Sequence, residues 1–376
     1  MRVSVSRLSF LVFLLLGLLL VDDAVAQRSS RRKSRQRRTR MINNGNRQAT
    51  FTGGRLPFAN AKQYITLGIS ANALNYFGDI VPKSRAFSTD IAYTRPGLGI
   101  SSMARLGPSF ALRAKFMYGR ISSSDFGVAD PSDEQARYRY VRNFQFRNDV
   151  KDLSIVGMLD LFPNPSTVSL RMRFTPYIFA GISVFHHDPQ GLVPNQAILT
   201  PEDLNNPFTP EQAGEWVSLS ELQTEGPDNT YSNFQISIPF GAGVRFRLSN
   251  RFDVEGEFSY RYLFTDYLDD VSGNYVDKGI LGSDLARVMS DRSLEPVDVV
   301  SGEQRVIYSD EGSLIPSTNT YTGADGREYV HLGGYGQPHA SAIRGDASDN
   351  DIFIVTTVRL VMMLGPLNLN SRMRPR

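Results

Sequence analysis

The chain has no cysteine, which removes disulfide staples, thiol nucleophiles and thiolate metal sites. Histidine is scarce, with four residues, so an imidazole-based metal centre or catalytic relay has few possible members. No apolar run reaches the roughly 18 to 20 residues that a membrane-spanning helix needs. The longest, Phe10 to Val21, follows Arg2 and Arg7 and precedes Ala24-Val25-Ala26. That order predicts a secretory signal over residues 1–26, with cleavage before Gln27. An exported chain without a spanning helix can enter a membrane only as a closed barrel. There is one tryptophan, but there are 23 phenylalanines and 16 tyrosines, residues that favour strands and interfacial girdles. A mean hydropathy of −0.25 is compatible with a barrel, because only alternate strand residues face lipid.

Acidic residues are absent from one stretch altogether. RSSRRKSRQRRTR holds Arg28, Arg31, Arg32, Lys33, Arg35, Arg37, Arg38 and Arg40 without an Asp or Glu, inside a basic segment and linker over residues 27–62. Like charges and the lack of apolar side chains predict a solvated, disordered tail. Export argues against nucleic acid as its partner. Anionic lipid, a cell-wall polymer or an acidic protein fits better.

What the chain does have is alternation. Phe234, Ile236, Ile238, Phe240, Ala242, Val244, Phe246 and Leu248 alternate with polar or small residues, and after Ser249-Asn250-Arg251 the pattern restarts with Phe252, Val254, Phe258, Tyr260, Tyr262 and Phe264. Period two predicts a hairpin of two strands, each about twice the length usual in soluble proteins. Its apolar face is aromatic, while Arg245, Arg247, Asp253, Glu255, Glu257 and Arg261 share the other face. This fits a transmembrane hairpin with lipid on one side and a charged barrel interior on the other.

The same pattern predicts six more strands, at Tyr64 to Tyr76, Ile91 to Ala104, Ser109 to Ile121, Lys151 to Phe162, Leu170 to Phe185 and Asp351 to Leu364. In the second of these, Gly97, Gly99 and Ser101 are expected inside; the fifth is apolar on both faces and leaves its orientation open. Connections alternate between long and short, at about 14, 4, 28, 7, 45, 3 and 84 residues. Outer-membrane barrels show this alternation, with short periplasmic turns and long extracellular loops. The expected fold is therefore all-β: an eight-stranded antiparallel transmembrane barrel over residues 63–365, with long extracellular loops at 187–230 and 267–350 and a basic tail at 366–376. Arg113, Lys115, Arg245, Arg247, Arg261 and Arg359 would pair inside it with Asp160, Asp253, Glu255 and Glu257, filling the lumen without an open pore. A soluble lipocalin-like barrel or a periplasmic sandwich is the rival architecture, and each turns its apolar face inward.

Few residues point to chemistry. His186 and His187, beside Asp188, are adjacent on a strand and so face opposite ways, which is poor geometry for one metal. Asp266, Asp269, Asp270 and Asp277 form an acidic loop without EF-hand spacing; Asp266, Asp269 and Asp270 are weak candidates for calcium. Arg344-Gly345-Asp346 is an adhesion-like tripeptide. No cofactor and no catalytic residue is expected.

Several stretches resemble the PorG-like outer-membrane β-barrel family of the type IX secretion system. They are NYFGD at Asn75 to Asp79, RPGLG at Arg95 to Gly99, ALRAKFMYGRIS at Ala111 to Ser122, FTPYIFAGISVFHHDP at Phe174 to Pro189 and WVSLSELQTEG at Trp216 to Gly226. The hairpin with its YLDDVSGNY extension and RGDASDND from Arg344 complete the series. The resemblance implies a non-enzymatic barrel in outer-membrane lipid that associates with a periplasmic ring lipoprotein and its partner. The Arg28 to Arg40 run, the Pro296 to Ile343 region and the ending Met362-Met363-Leu364 followed by GPLNLNSRMRPR depart from it. An OmpA-type surface-binding barrel and a barrel-embedded lipid enzyme are the alternatives.

Overall fold

In the computed structural model, the structure describes residues 63–80, 93–130, 136–164, 171–305, 318–348 and 350–366, with a few isolated positions between them. The expected signal segment, the basic run and the C-terminal tail lie outside the described residues, apart from Pro366.

Eight long strands form the wall: β1 (Tyr64–Phe77), β2 (Arg95–Arg105), β3 (Phe110–Ser124), β4 (Gln145–Asp160), β5 (Phe174–His186), β6 (Phe234–Arg247), β7 (Phe252–Leu263) and β8 (Ile352–Pro366). Each pairs antiparallel with its sequence neighbours, and β1 also pairs with β8, from Tyr64 opposite Pro366 to Phe77 opposite Ile352. That last pairing closes the sheet, which leaves no edge with unpaired backbone groups. Gly181 permits a close approach of β5 to β4, since a Cβ there would lie 2.1 Å from the Ile155 carbonyl oxygen.

The alternation in the sequence becomes an alternation of exposure. Leu67, Ile69, Leu98, Ile100, Phe116, Leu153, Ile155, Ile182, Phe240, Phe258, Val358 and Leu360 project outward and are exposed. A continuous apolar belt around a closed wall is stable against hydrocarbon and unfavourable in water, so this is a membrane-spanning barrel rather than one with its apolar face inside. Strand β5 resolves in the same way: Tyr177, Phe179 and Phe185 are buried, while Ile178, Ile182 and Val184 face out. β4 begins earlier than expected, at Gln145, because Phe146 and Val150 are recruited inward.

The two ends differ. Short links join β2 to β3 and β6 to β7, the latter tied by Ser249, whose amide donates to the Phe252 carbonyl at 3.0 Å. At the opposite end, the long connections fold back on themselves. They contain a short helix Asp284–Ser290 and a hairpin of Thr318–Thr322 with Glu328–Leu332. Among the described residues no helix is long and apolar enough to cross a membrane.

The lumen is filled, but not by charge alone. Tyr64, Met103, Met158, Tyr177, Phe179 and Met363 pack at the short-turn end. Leu74, Tyr76, Met117, Phe146, Phe185 and Phe353 form a second apolar layer beneath the long loops, capped by Leu268, Val271, Tyr275 and Ala342. Between and around them lies an ionic network. Glu257 contacts Arg113 and accepts from Arg359 at 2.8 Å; Glu255 accepts from Arg245 at 2.7 Å and from Arg359 at 2.6 Å. Asp160 contacts Arg105 and reaches Arg245 at 3.4 Å. Arg261 pairs with Asp152 at 3.2 Å, and Asp253 with Arg171 at 2.6 Å.

Two expected members behave differently. Among the described residues Lys115 has no carboxylate partner; its ammonium donates to Asn72 Oδ1 at 3.0 Å and Thr357 Oγ1 at 3.2 Å. Arg247 lies at the short-turn rim and donates to the Arg171 carbonyl and to Asn250, outside the network. Arg105, Asp152 and Arg171 were not expected in it. Asp152 shares its inward parity with Ser154 and Asp160, a signal the sequence did carry. Arg105 and Arg171 flank turns, where alternation gives no direction.

Candidate functional site

The long connections meet over the mouth of the barrel in a buried knot whose parts come from distant sequence. Arg344 is its centre, 2% exposed. It donates to Glu225 Oε1 at 2.7 Å, Asp270 Oδ2 at 3.1 Å and Thr224 Oγ1 at 3.0 Å, and lies 4.7 Å above the Phe144 ring. Glu225 in turn accepts from the amides of Ser272 at 2.9 Å and Gly273 at 3.1 Å. Asp270 sits at φ 73°, a left-handed conformation that Asp tolerates better than most residues. It is fixed there by Arg344, Thr224 at 2.5 Å and the Tyr231 hydroxyl at 2.6 Å. Glu225 and Asp270 hold the Arg344 guanidinium charged, well above its ordinary range, against the opposing effect of burial.

A second arginine crosses the knot. Arg142, at the end of the short helix Arg137–Arg142, grips Asp125 with two bonds of 2.8 Å and donates to the carbonyls of Arg344 at 2.6 Å and Asp79 at 2.9 Å. It therefore joins three connections through one guanidinium.

Beside these pairs lies an acidic group of the opposite character. The Tyr76 hydroxyl is 2.5 Å from Asp269 Oδ2 and 3.0 Å from Asp351 Oδ1. A phenol has a single proton, so satisfying both oxygens requires a second proton on one carboxyl. Burial, and then the charge of Asp79, pushes Asp269 well up; burial, and then Asp269, does the same to Asp351. Burial raises Asp266 to about 8. Asp351 Oδ2 also accepts from the Leu268 amide at 2.7 Å, so this group pins the loop to the start of β8.

These contacts place three sets of residues singled out in the sequence. Asp269 turns to Tyr76 and Asp270 to Arg344, which separates the calcium candidates; among the described residues no group of three or more metal-binding side chains is assembled. Arg344 of the Arg-Gly-Asp tripeptide is buried and paired with Glu225, so the tripeptide is not displayed for adhesion. His186 and His187 do face opposite ways. His186 meets Phe234 on the outer face, while His187 is enclosed, with the Phe185 and Tyr231 rings 5.5 and 6.1 Å away and burial lowering it to about 4.

At the edge of the knot, an open cleft of about 870 Å³ is lined by Asp79, Tyr138, Arg142, Tyr335, Arg344 and Asp346. Tyr138 is exposed, Tyr335 half-buried, and Asp79 accepts from the Asp346 amide at 3.0 Å. Glu225 and Arg142 were not singled out in the sequence, and Arg344 only within the tripeptide, because no local spacing links the three.

The chain was compared with known proteins. A family model described as a domain of unknown function, DUF6089, matches residues 56–205. No curated protein matches the chain. Among solved structures, Neisserial surface protein A is 9% identical, with a TM-score of 0.31 over 79% of this chain and 96% of that one. Ail, the attachment invasion locus protein of Yersinia pestis, is 8% identical, with a TM-score of 0.30 over 80% and 97%. OprG of Pseudomonas aeruginosa is 7% identical, with a TM-score of 0.31 over 81% and 97%. At such identities and scores, the barrel assignment rests on this chain's own strand register and outward apolar belt.

Proposed function

We propose that this chain is a non-enzymatic outer-membrane β-barrel serving as an anchor or accessory of the type IX secretion machinery. In this reading the long loops are extracellular, and the short turns and the Arg28 to Arg40 run face a periplasmic ring lipoprotein and its partner. The observation that carries it is convergence. Three stretches of the PorG-like resemblance, far apart in sequence, supply Glu225, Asp270 and Arg344 to one buried knot, and a fourth supplies Asp79, which accepts from the Asp346 amide at its edge. The plugged lumen supports an architectural role, because packed aromatics and paired charges leave the outer surfaces as the place for partners. The test is recovery of the tagged barrel from crosslinked membranes in mild detergent. Co-recovery of a periplasmic ring lipoprotein is expected, and its absence together with unimpaired secretion in a deletion strain would sink the assignment.

A second reading, a surface-binding barrel, draws on the cleft with Tyr138 and Tyr335. Replacing both tyrosines with alanine would then abolish surface attachment and leave secretion intact.

A further inference from the structure

The outer rim of the barrel beneath the long loops is not uniform. On β6 and β7 the outward residues at this height are Phe234, Ile236 and Tyr262, with Phe264 just beyond; on β8 the outward residue is Ile352. On β3 and β4 they include Arg120, Arg147 and Lys151 instead. The strand register clusters these cations. Arg120 lies opposite Asp149, Ser122 opposite Arg147, and Tyr118 opposite Lys151, which lies opposite His186 on its other side.

Several of these side chains are pre-arranged. Arg147 lies 4.2 Å over the face of Trp216, the only tryptophan in the chain, and its Nε donates to Gln190 at 2.9 Å. Arg120 donates to both oxygens of Asp149 at 2.5 and 2.9 Å, and Tyr118 donates to the same carboxylate at 3.2 Å. Arg95 donates to Ser122 Oγ at 2.8 Å. Arg95, Arg120, Arg147 and Trp216 line a recess of about 420 Å³. Two carboxylates also line it: Asp298 accepts from the Ser301 amide at 2.7 Å, and Glu303 is exposed. Leu98, Ile100, Phe116 and Leu153 of the lipid-facing belt begin a few residues below, about 3.3 Å per residue along a strand.

A cationic, aromatic recess directly above acyl-chain height suits an anionic headgroup whose tails remain in the bilayer. From this geometry we infer that the β2–β4 rim binds the phosphate of a phosphorylated glycolipid in the outer leaflet. Guanidinium forks match phosphate oxygens in pairs, and the stacked Arg147 loses little freedom on binding. The inference uses the membrane orientation proposed above but not the secretion role.

Native mass spectrometry of the folded barrel would test it, with three probes: lipid A bearing its phosphates, the same lipid enzymatically dephosphorylated, and inorganic phosphate. The phosphorylated lipid is expected to bind at least about tenfold more tightly than the dephosphorylated one, in line with the contribution of each basic residue near an anionic surface. The variant Arg120→Gln/Arg147→Gln/Lys151→Gln should lose that preference, whereas Arg251→Gln at the opposite rim should keep it. Equal binding of both lipids, an unchanged triple variant that still resists SDS before heating, or inorganic phosphate binding as well as the lipid would overturn the inference. Should the triple variant fail to fold, the two lipids on the wild-type barrel decide the matter.

Discussion

Glu257 in the barrel and Asp269 in the loop knot are both hidden from water, yet their neighbours are of opposite charge. Glu257 lies against Arg113 and Arg359; Asp269 lies near Asp351 and Asp79, with a phenol between two of the carboxyls. The first arrangement compensates a buried carboxylate by pairing it, and in the second, burial and like charge raise the carboxyl's hold on its proton. The wall thus opposes its charges in pairs, while its cover gathers carboxyls together.

Removing one partner is the most damaging test. Glu257→Ala removes the main carboxylate partner of buried Arg113 and one of the two that hold Arg359, and should cost about 3–5 kcal/mol, read as a lower urea midpoint for loss of the SDS-resistant band. Arg344→Ala should do comparable harm to the knot alone: proteolysis within residues 264–351 rises sharply while the SDS-resistant wall persists, and simultaneous loss of both would contradict the separation of the two regions.

The pH prediction follows from the raised carboxyls. Asp266, Asp269 and Asp351 retain protons in the folded knot that an unfolded loop releases near pH 4. The folded form binds more protons across this interval, so knot stability is greatest in acid and falls as pH rises from about 4 through about 8, where Asp266 titrates. Loop opening, followed by hydrogen exchange, should increase about tenfold or more between pH 5 and 9, with the wall unchanged. Asp269→Asn should flatten that dependence at a cost near 1 kcal/mol at pH 5. The smallest effect is expected from Lys115→Met, within about 1 kcal/mol, because the ammonium it removes has only an amide and a hydroxyl as partners.

The wall was legible in the sequence because each strand reports its own two faces. Phe240 and Phe258 announced lipid, and Arg245 and Glu255 announced the lumen, without knowledge of any partner. Tyr177 and Ile178 were ambiguous, since an aromatic plug inside looks like an aromatic girdle outside when both faces are apolar. In the knot, Asp269, Asp270 and Arg344 stood out as residues but their partners were not legible. Arg344 and Glu225 are 119 residues apart, and their pairing depends on how three connections fold over one another rather than on any local period. The segment from Tyr267 to Asn350, read as one long loop, contains a helix and a hairpin too short to show a period of their own.

The pairing of β1 with β8 also sets an order of events in time. The strand that begins at Tyr64 cannot find its second neighbour until Ile352–Pro366 has been made and delivered, together with everything between β7 and β8. Most wall contacts form between adjacent strands, but the final one joins the two ends of the sheet, a contact of very high sequence separation that forms slowly. Until then both end strands carry unpaired backbone at the membrane, and the assembling chain is at its most vulnerable to wrong partners.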